Sequence, residues 1–149
     1  MFIVSAASVY AYIITTEQIA RQISDAMLSI SENPIIILLL VNVLLLIAGM
    51  FIDAISAYYI FVPILLPIML LLNVDPTVFG VFMTVNLAIG LFTPPVGLNL
   101  FVAAGISGTS IGRLSIGVLP FIVASLIILM LITFIPQIST FLPDLLNVK

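Results

Sequence analysis

The sequence predicts an all-α integral membrane protein: several spanning helices, a re-entrant helical hairpin and one helix broken inside the membrane. Three observations predict it. Hydrophobic residues make up 64% of the 149 residues and charged residues only 6%, where a soluble domain carries about 25%. The forty residues from Ile35 to Val74 hold a single charge, Asp53. The third is the uncharged run from Pro76 to Gly112, which contains Asn86-Leu87-Ala88-Ile89-Gly90-Leu91-Phe92-Thr93-Pro94-Pro95-Val96-Gly97-Leu98-Asn99. A proline removes a backbone donor and clashes with the preceding turn, and it pushes the residue before it away from helical geometry. A helix therefore cannot run cleanly through Pro94-Pro95. Broken backbone at membrane depth is tolerated only where it is buried in protein or lines a watery cavity. Such an interruption is the best sequence pointer to a transporter's binding site.

Composition excludes other classes. A net charge of −3 with three basic residues leaves no nucleic-acid footprint. There is no cysteine and no histidine, which removes thiolate chemistry and the commonest general base and metal ligand. No nucleophile–base pair is in view, so an enzyme is not expected.

The elements follow in order. Met1 to Thr16 is apolar, slightly short for a span, and lacks a basic region ahead of it. It reads as the end of a membrane helix that began upstream, not as a signal peptide, and the chain as the C-terminal portion of a longer protein. From Thr16 to Ser31, Glu17, Arg21 and Asp25 are spaced four apart among apolar Ile19, Ile23 and Met27. That is an amphipathic helix, lying along the membrane interface or serving as a plain solvated connector. Asn33-Pro34 opens the next helix. As one helix, 35 to 74 would be about 60 Å long, roughly twice the hydrocarbon thickness. It must turn, and Ala48 to Ser56 is the place. Each arm then suits either a tight span or a re-entrant hairpin; a tip carrying Asp53 and Ser56 without a basic residue favours the hairpin. Pro63 and Pro67 kink the returning arm. Asp75 caps a half-helix starting at Pro76 and running to Ile89. A second half-helix runs from Leu98 to Gly105, a polar loop from Ile106 to Leu114, and a final span from Ser115 to about Phe141. Pro143-Asp144 and Lys149 read as a short polar tail at a natural C-terminus. The four segments are 1–30, 31–74, 75–112 and 113–149.

Asp53 is the only carboxylate inside a hydrophobic run. It either serves Na⁺ or a proton, or caps the helix at the turn. Around the break, carbonyls from Gly90 to Pro95, the Thr93 hydroxyl and the Asn86 and Asn99 amides offer oxygens to a hard cation. The end of the first half-helix suits Na⁺, and the start of the second suits a carboxylate. A lone proline would fit a packing kink; two prolines flanked by Gly and Asn fit a site better. Asn42 is expected to bond a neighbouring helix. Ser107, Thr109 and Ser110 read as loop residues and Arg113 as a topology residue.

Gly49-Met50-Phe51-Ile52-Asp53, Pro63-Ile64-Leu65-Leu66-Pro67, Asp75-Pro76 and Asn86 through Phe101 together closely resemble the large membrane subunit of TRAP transporters, the tripartite ATP-independent periplasmic, DctM-like family. The resemblance runs over nearly the whole chain. It implies the second of two inverted repeats of an ion-transporter-type fold, with 35–72 as the re-entrant hairpin, 76–105 as the broken helix and 115–141 as the last span; residues 1–30 would be scaffold and connecting arm. It implies Na⁺ at Gly49, Asp53, Gly90, Thr93 and Gly97, and substrate contacts from Ser56, Asn86, Thr93, Pro94, Pro95 and Asn99. It implies uptake of an organic acid such as a C4-dicarboxylate or sialic acid, driven by Na⁺, in a bacterial or archaeal inner membrane. The implied partners are the first repeat, a small membrane subunit and a periplasmic binding protein. The first repeat is absent here, so a fragment, a split subunit and a remnant are all open. A carboxylate carrier without a binding protein and a non-transporting assembly protein are the rival readings.

Overall fold

The computed structural model describes residues 9–10, 12–13, 16–30 and 33–146; the expected apolar stretch over 1–16 lies largely outside them. Seven helices follow one another among the described residues: α1 (Ile19–Ile30), α2 (Pro34–Phe51), α3 (Ala54–Leu71), α4 (Pro76–Gly90), α5 (Leu98–Ser107), α6 (Ile111–Phe134) and α7 (Pro136–Leu145). Three of them, α2, α3 and α6, are long and apolar enough to cross a membrane. With 15 and 10 residues, α4 and α5 rise only about 22 and 15 Å, each short of the ~30 Å hydrocarbon core.

Each of the three central helices starts on a side-chain cap. Asn33 Oδ1 accepts from the Ile35 N–H at 2.9 Å. Asp53 Oδ2 accepts from the Ser56 N–H at 3.0 Å. Asp75 Oδ1 accepts from the Thr77 N–H at 2.7 Å. Helix starts leave orphan N–H groups, and a short polar side chain just ahead of the first turn satisfies one of them. Pro34 and Pro76 occupy first-turn positions, where the missing N–H costs nothing. The bonds from Thr77 hold the Asp75 carboxyl below the usual carboxylate range.

The hub of the structure is α4. It packs on both arms α2 and α3, and on α6 and α7, while α2 and α3 scarcely touch each other. The arms, joined only through Ile52 and Asp53, form a V with α4 seated between them. The buried residues of α2 include Leu38, Val41, Asn42, Leu45, Ala48 and Gly49, and those of α4 include Phe79, Phe82, Met83, Asn86, Leu87 and Gly90. Both are the i, i+3, i+4, i+7 stripes of one helical face. Two polar pairs fasten α4 into the V. Asn86 bonds Asn42 of α2, and Tyr58 of α3 bonds Thr84. Phe79 and Phe82 add an edge-to-face ring contact at 5.4 Å. On the outer side α1 packs on α3, as its apolar Ile19 and Ile23 require, and α5 packs on α6.

Near their ends, α2 and α4 meet without side chains. A Cβ added to Gly90 would lie 2.4 Å from the Gly49 carbonyl carbon and 2.5 Å from its Cα. Small residues at such crossings let two backbones approach closely, which is how helices gain packing energy where lipid supplies no hydrophobic drive.

The C-terminal third departs from expectation. The loop expected over 106–114 is only Gly108 to Ser110, because α5 runs on to Ser107 and α6 starts at Ile111. Gly108 takes φ +66° as the left-handed end of α5, the usual way a glycine stops a helix. The span expected over 115–141 is two helices. Ile135 sits at φ −118°, ψ 83°, the extended geometry imposed on a residue before proline, and Pro136 opens α7. Pro143 and Asp144, expected in a polar tail, lie in the last turn of α7, which packs against α4 and α6; Lys149 lies outside the described residues.

Substituting Gly90→Ala should force α2 and α4 apart, since only backbone stands in the way, at a cost of about 1–3 kcal/mol or more. Gly80→Ala, on the same helix with no heavy atom within 4 Å of the new Cβ, should fold as well as the parent. Detergent-resistant yield and melting temperature of the two variants check this contrast.

Candidate functional site

The break between α4 and α5 spans residues 91 to 97 and closes on itself. The Leu91 N–H donates to the Leu87 carbonyl, Phe92 to Ile89 and Thr93 to Gly90, at 3.0–3.2 Å. The Thr93 hydroxyl donates to the Ile89 carbonyl at 2.6 Å. These bonds satisfy carbonyls that α4 would otherwise leave free at its end. The Asn99 N–H donates to the Leu91 carbonyl at 3.0 Å, tying the start of α5 to the end of α4. Between them the chain turns through a cis Pro94-Pro95 bond and through Gly97 at φ +51°. A Cβ at Gly97 would also meet the Thr93 carbonyl oxygen at 2.9 Å.

The break is joined to the hairpin tip. The Gly97 N–H donates to the Met50 carbonyl at 3.2 Å, one residue beyond the Gly49–Gly90 contact. Gly49, Met50, Gly90, Thr93 and Gly97 therefore meet where α2 ends and α4 ends. Helix C-termini carry partial negative charge, and two converge here, so the arrangement can hold a small hard cation once local hydrogen bonds yield. Pro95 and Asn99 are exposed on the outer side of the loop, while Thr93 and Pro94 are half-buried.

Other expected site residues sit differently. Asp53 stands past the tip, exposed, with its carboxylate on the Ser56 N–H; that is the capping alternative of the two weighed for it. Ser56 lies in the first turn of α3. Asn86 lies one turn before the break and is fully buried. Its amide donates to the Phe82 carbonyl at 2.8 Å and to Asn42 Oδ1 at 2.5 Å. Asn42 does bond a neighbouring helix, as expected: its own amide donates to the Leu38 carbonyl at 2.9 Å and to Thr133 Oγ1 of α6 at 3.2 Å.

The Met50 carbonyl and Thr133 escape sequence reasoning, as does the linking of Asn42 to Asn86. The Met50 carbonyl has no side-chain signal. The Asn42–Asn86–Thr133 network has one: Asn42 and Gly49 lie seven residues apart, and Asn86 and Gly90 four apart, so each asparagine shares a face with a glycine of the crossing.

A multi-pass helical membrane protein, with one helix broken at a glycine-seated loop, is the class that these features define. The chain belongs to the DctM component family of tripartite ATP-independent periplasmic transporters, whose family model matches residues 1–138. It is 48% identical over 139 residues to the isethionate TRAP transporter permease protein DctMQ of Oleidesulfovibrio alaskensis, covering 93% of this chain and 22% of that protein. It is 42% identical to the sialic acid TRAP transporter permease protein SiaT of Haemophilus influenzae over 133 residues, 89% of this chain and 22% of that protein. It is 40% identical to the C4-dicarboxylate TRAP transporter large permease protein DctM of Pseudomonas aeruginosa over 149 residues, 100% of this chain and 35% of that protein. The chain thus spans between about a fifth and a third of the length of these relatives.

At the break, Gly97→Ala should be far more damaging than Gly105→Ala. The first places a side chain at a left-handed φ and against the Thr93 carbonyl, while the second faces open space. Strain of this kind costs roughly 1–3 kcal/mol. The melting temperature should fall for Gly97→Ala and stay at the parent value for Gly105→Ala.

Proposed function

We propose that the chain is the C-terminal portion of the large permease subunit of a Na⁺-driven TRAP transporter, and that it contributes one Na⁺ site and half of an organic-acid site. The observation that carries this reading is the seating of the hairpin tip on the broken helix: the Gly49–Gly90 contact and the Gly97-to-Met50 hydrogen bond. Two helix ends are brought together there with main-chain oxygens and the Thr93 hydroxyl, at a break that neither half-helix can bridge across the bilayer. In this reading α2 and α3 form a re-entrant hairpin, α4 and α5 the broken helix, and the unit is one of two inverted repeats.

The Na⁺ oxygens come from Gly49, Gly90, Thr93 and Gly97. Asp53 sets the tip by capping α3 and adds a negative charge nearby. Thr93, Pro94, Pro95 and Asn99 form the rim facing the organic acid, with Ser56 across from them at the tip. The three relatives' names carry isethionate, sialic acid and C4-dicarboxylate, which supports an anionic cargo of small size. The first repeat supplies the rest of the cavity, a small membrane subunit braces the scaffold, and a periplasmic binding protein delivers the cargo to the inner membrane.

In the complete complex, Asp53→Asn, and separately Thr93→Ala with Asn99→Ala, should lower Na⁺-dependent uptake at least several-fold without loss of protein from the membrane. Uptake measured against external Na⁺ in proteoliposomes decides it. Rates and Na⁺ dependence equal to the parent would remove the site assignment.

A further inference from the structure

Asn42, Asn86 and Thr133 are the buried polar residues of the described chain, at 1%, 0% and 4% exposure. They come from three helices, α2, α4 and α6, that are otherwise apolar at this level. Every N–H and O–H of the three has an acceptor. Asn86 donates to Phe82 and Asn42, and Asn42 donates to Leu38 and Thr133. Thr133 donates to the Leu129 carbonyl at 2.8 Å. Asn86 Oδ1, by contrast, is buried without a partner. Its two donors are what tie the residue to α2 and to its own helix.

The placement gives those donors a purpose. The glycine crossing of α2 and α4 has no side chains to interdigitate, so by itself it sets neither sliding nor rotation of one helix on the other. Nor does apolar packing in lipid select one register strongly. The Asn42–Asn86 bond is directional, lies on the same stripe as the two glycines, and is one turn from Gly90 and two from Gly49. Thr133 anchors it to α6. We infer that the Asn42–Asn86–Thr133 network is the register lock of the site: it holds α2 on α4 at the one setting where the Met50 carbonyl meets the Gly97 N–H. Asn42, Asn86 and Thr133 are positioning residues. They touch neither cation nor cargo. A buried polar residue that fixes register at some expense of stability has a precedent in coiled coils. The effect on Na⁺ rests on the transport reading above; the effect on the break does not.

Two variants separate register from stability, in the complete membrane assembly. Asn86→Asp keeps the shape and removes both donors. Its neutral acid, at low pH, again donates one bond to Asn42, and its charged form, at high pH, is repelled by Asn42 Oδ1. Asn42→Leu with Asn86→Leu replaces both partners by apolar groups, which is near neutral for stability, and Thr133 keeps its bond to Leu129. The readouts are amide hydrogen exchange over residues 91–100, corrected for intrinsic exchange at each pH, and the Na⁺ concentration for half-maximal uptake. Asn86→Asp should exchange at least several-fold faster over 91–100 at high pH and return toward the parent at low pH. The double leucine variant should melt near the parent temperature yet stay fast at every pH. Both should need more Na⁺ where exchange is fast. Parent-like exchange over 91–100 in a folded double variant, or no recovery of Asn86→Asp at low pH, would overturn the lock. If the parent assembly shows no Na⁺-dependent uptake, the transport reading falls while the exchange data still judge the lock.

Discussion

Everything around the break depends on the backbone contact between Gly49 and Gly90. A methyl group on Gly90 would sit at bonding-like distance from the Gly49 main chain, so no other residue lets α2 and α4 approach this far. The contact brings two helix ends to one place. It also puts the Met50 carbonyl within reach of Gly97, which turns two adjacent loops into one unit. The hub position of α4 follows from the same approach. α3 packs on α4 and α1 and scarcely on α2.

Polar groups then do what apolar surfaces cannot do in lipid. Leucine and isoleucine pack as well against acyl chains as against other helices, so they give cohesion without direction. Direction comes from a few hydrogen bonds inside the apolar layer: Asn42 to Asn86 toward α2, Tyr58 to Thr84 toward α3, and Asn42 to Thr133 toward α6. The first and last are sealed from solvent, while Thr84 is exposed at its surface. The grip of α4 on α2 is thus the more insulated of its two grips on the hairpin.

Much of this architecture is legible in the residues, where local chemistry is decisive. Asn33-Pro34, Asp53 and Asp75-Pro76 start helices in the structure because capping needs only a side-chain oxygen and a free first turn. The break at Pro94-Pro95 is equally local. Asp53 shows how far this goes: its cap could be named from its place at the turn, but its distance from the break could not. Gly49 and Gly90 read in the sequence as carbonyl ligands, but in the structure their first task is to lack a side chain, a fact that appears only when two distant segments meet. The end of the last span was missed by seven residues because Pro136 looks like a kink within a long apolar run. It becomes a helix start once Ile135 turns and α7 finds α4 to pack on.

The hydrogen bonds of the break bear on how a site here can let go of what it holds. The carbonyls of Leu87, Ile89 and Gly90 already accept from Leu91, Phe92, Thr93 and the Thr93 hydroxyl. A cation that uses any of these oxygens competes with a bond the chain makes for itself. The binding free energy is therefore a difference between two satisfied states, not the full gain of coordinating an ion with idle oxygens. Rotation of the Thr93 hydroxyl is the least costly of these exchanges, since it re-aims the hydroxyl oxygen without moving backbone, while the Ile89 carbonyl keeps its bond from Phe92. The same local closure gives the break its turn. Its setting on the hairpin comes from the glycine crossing, held in register by Asn42 and Asn86, and from the tie between Leu91 and Asn99.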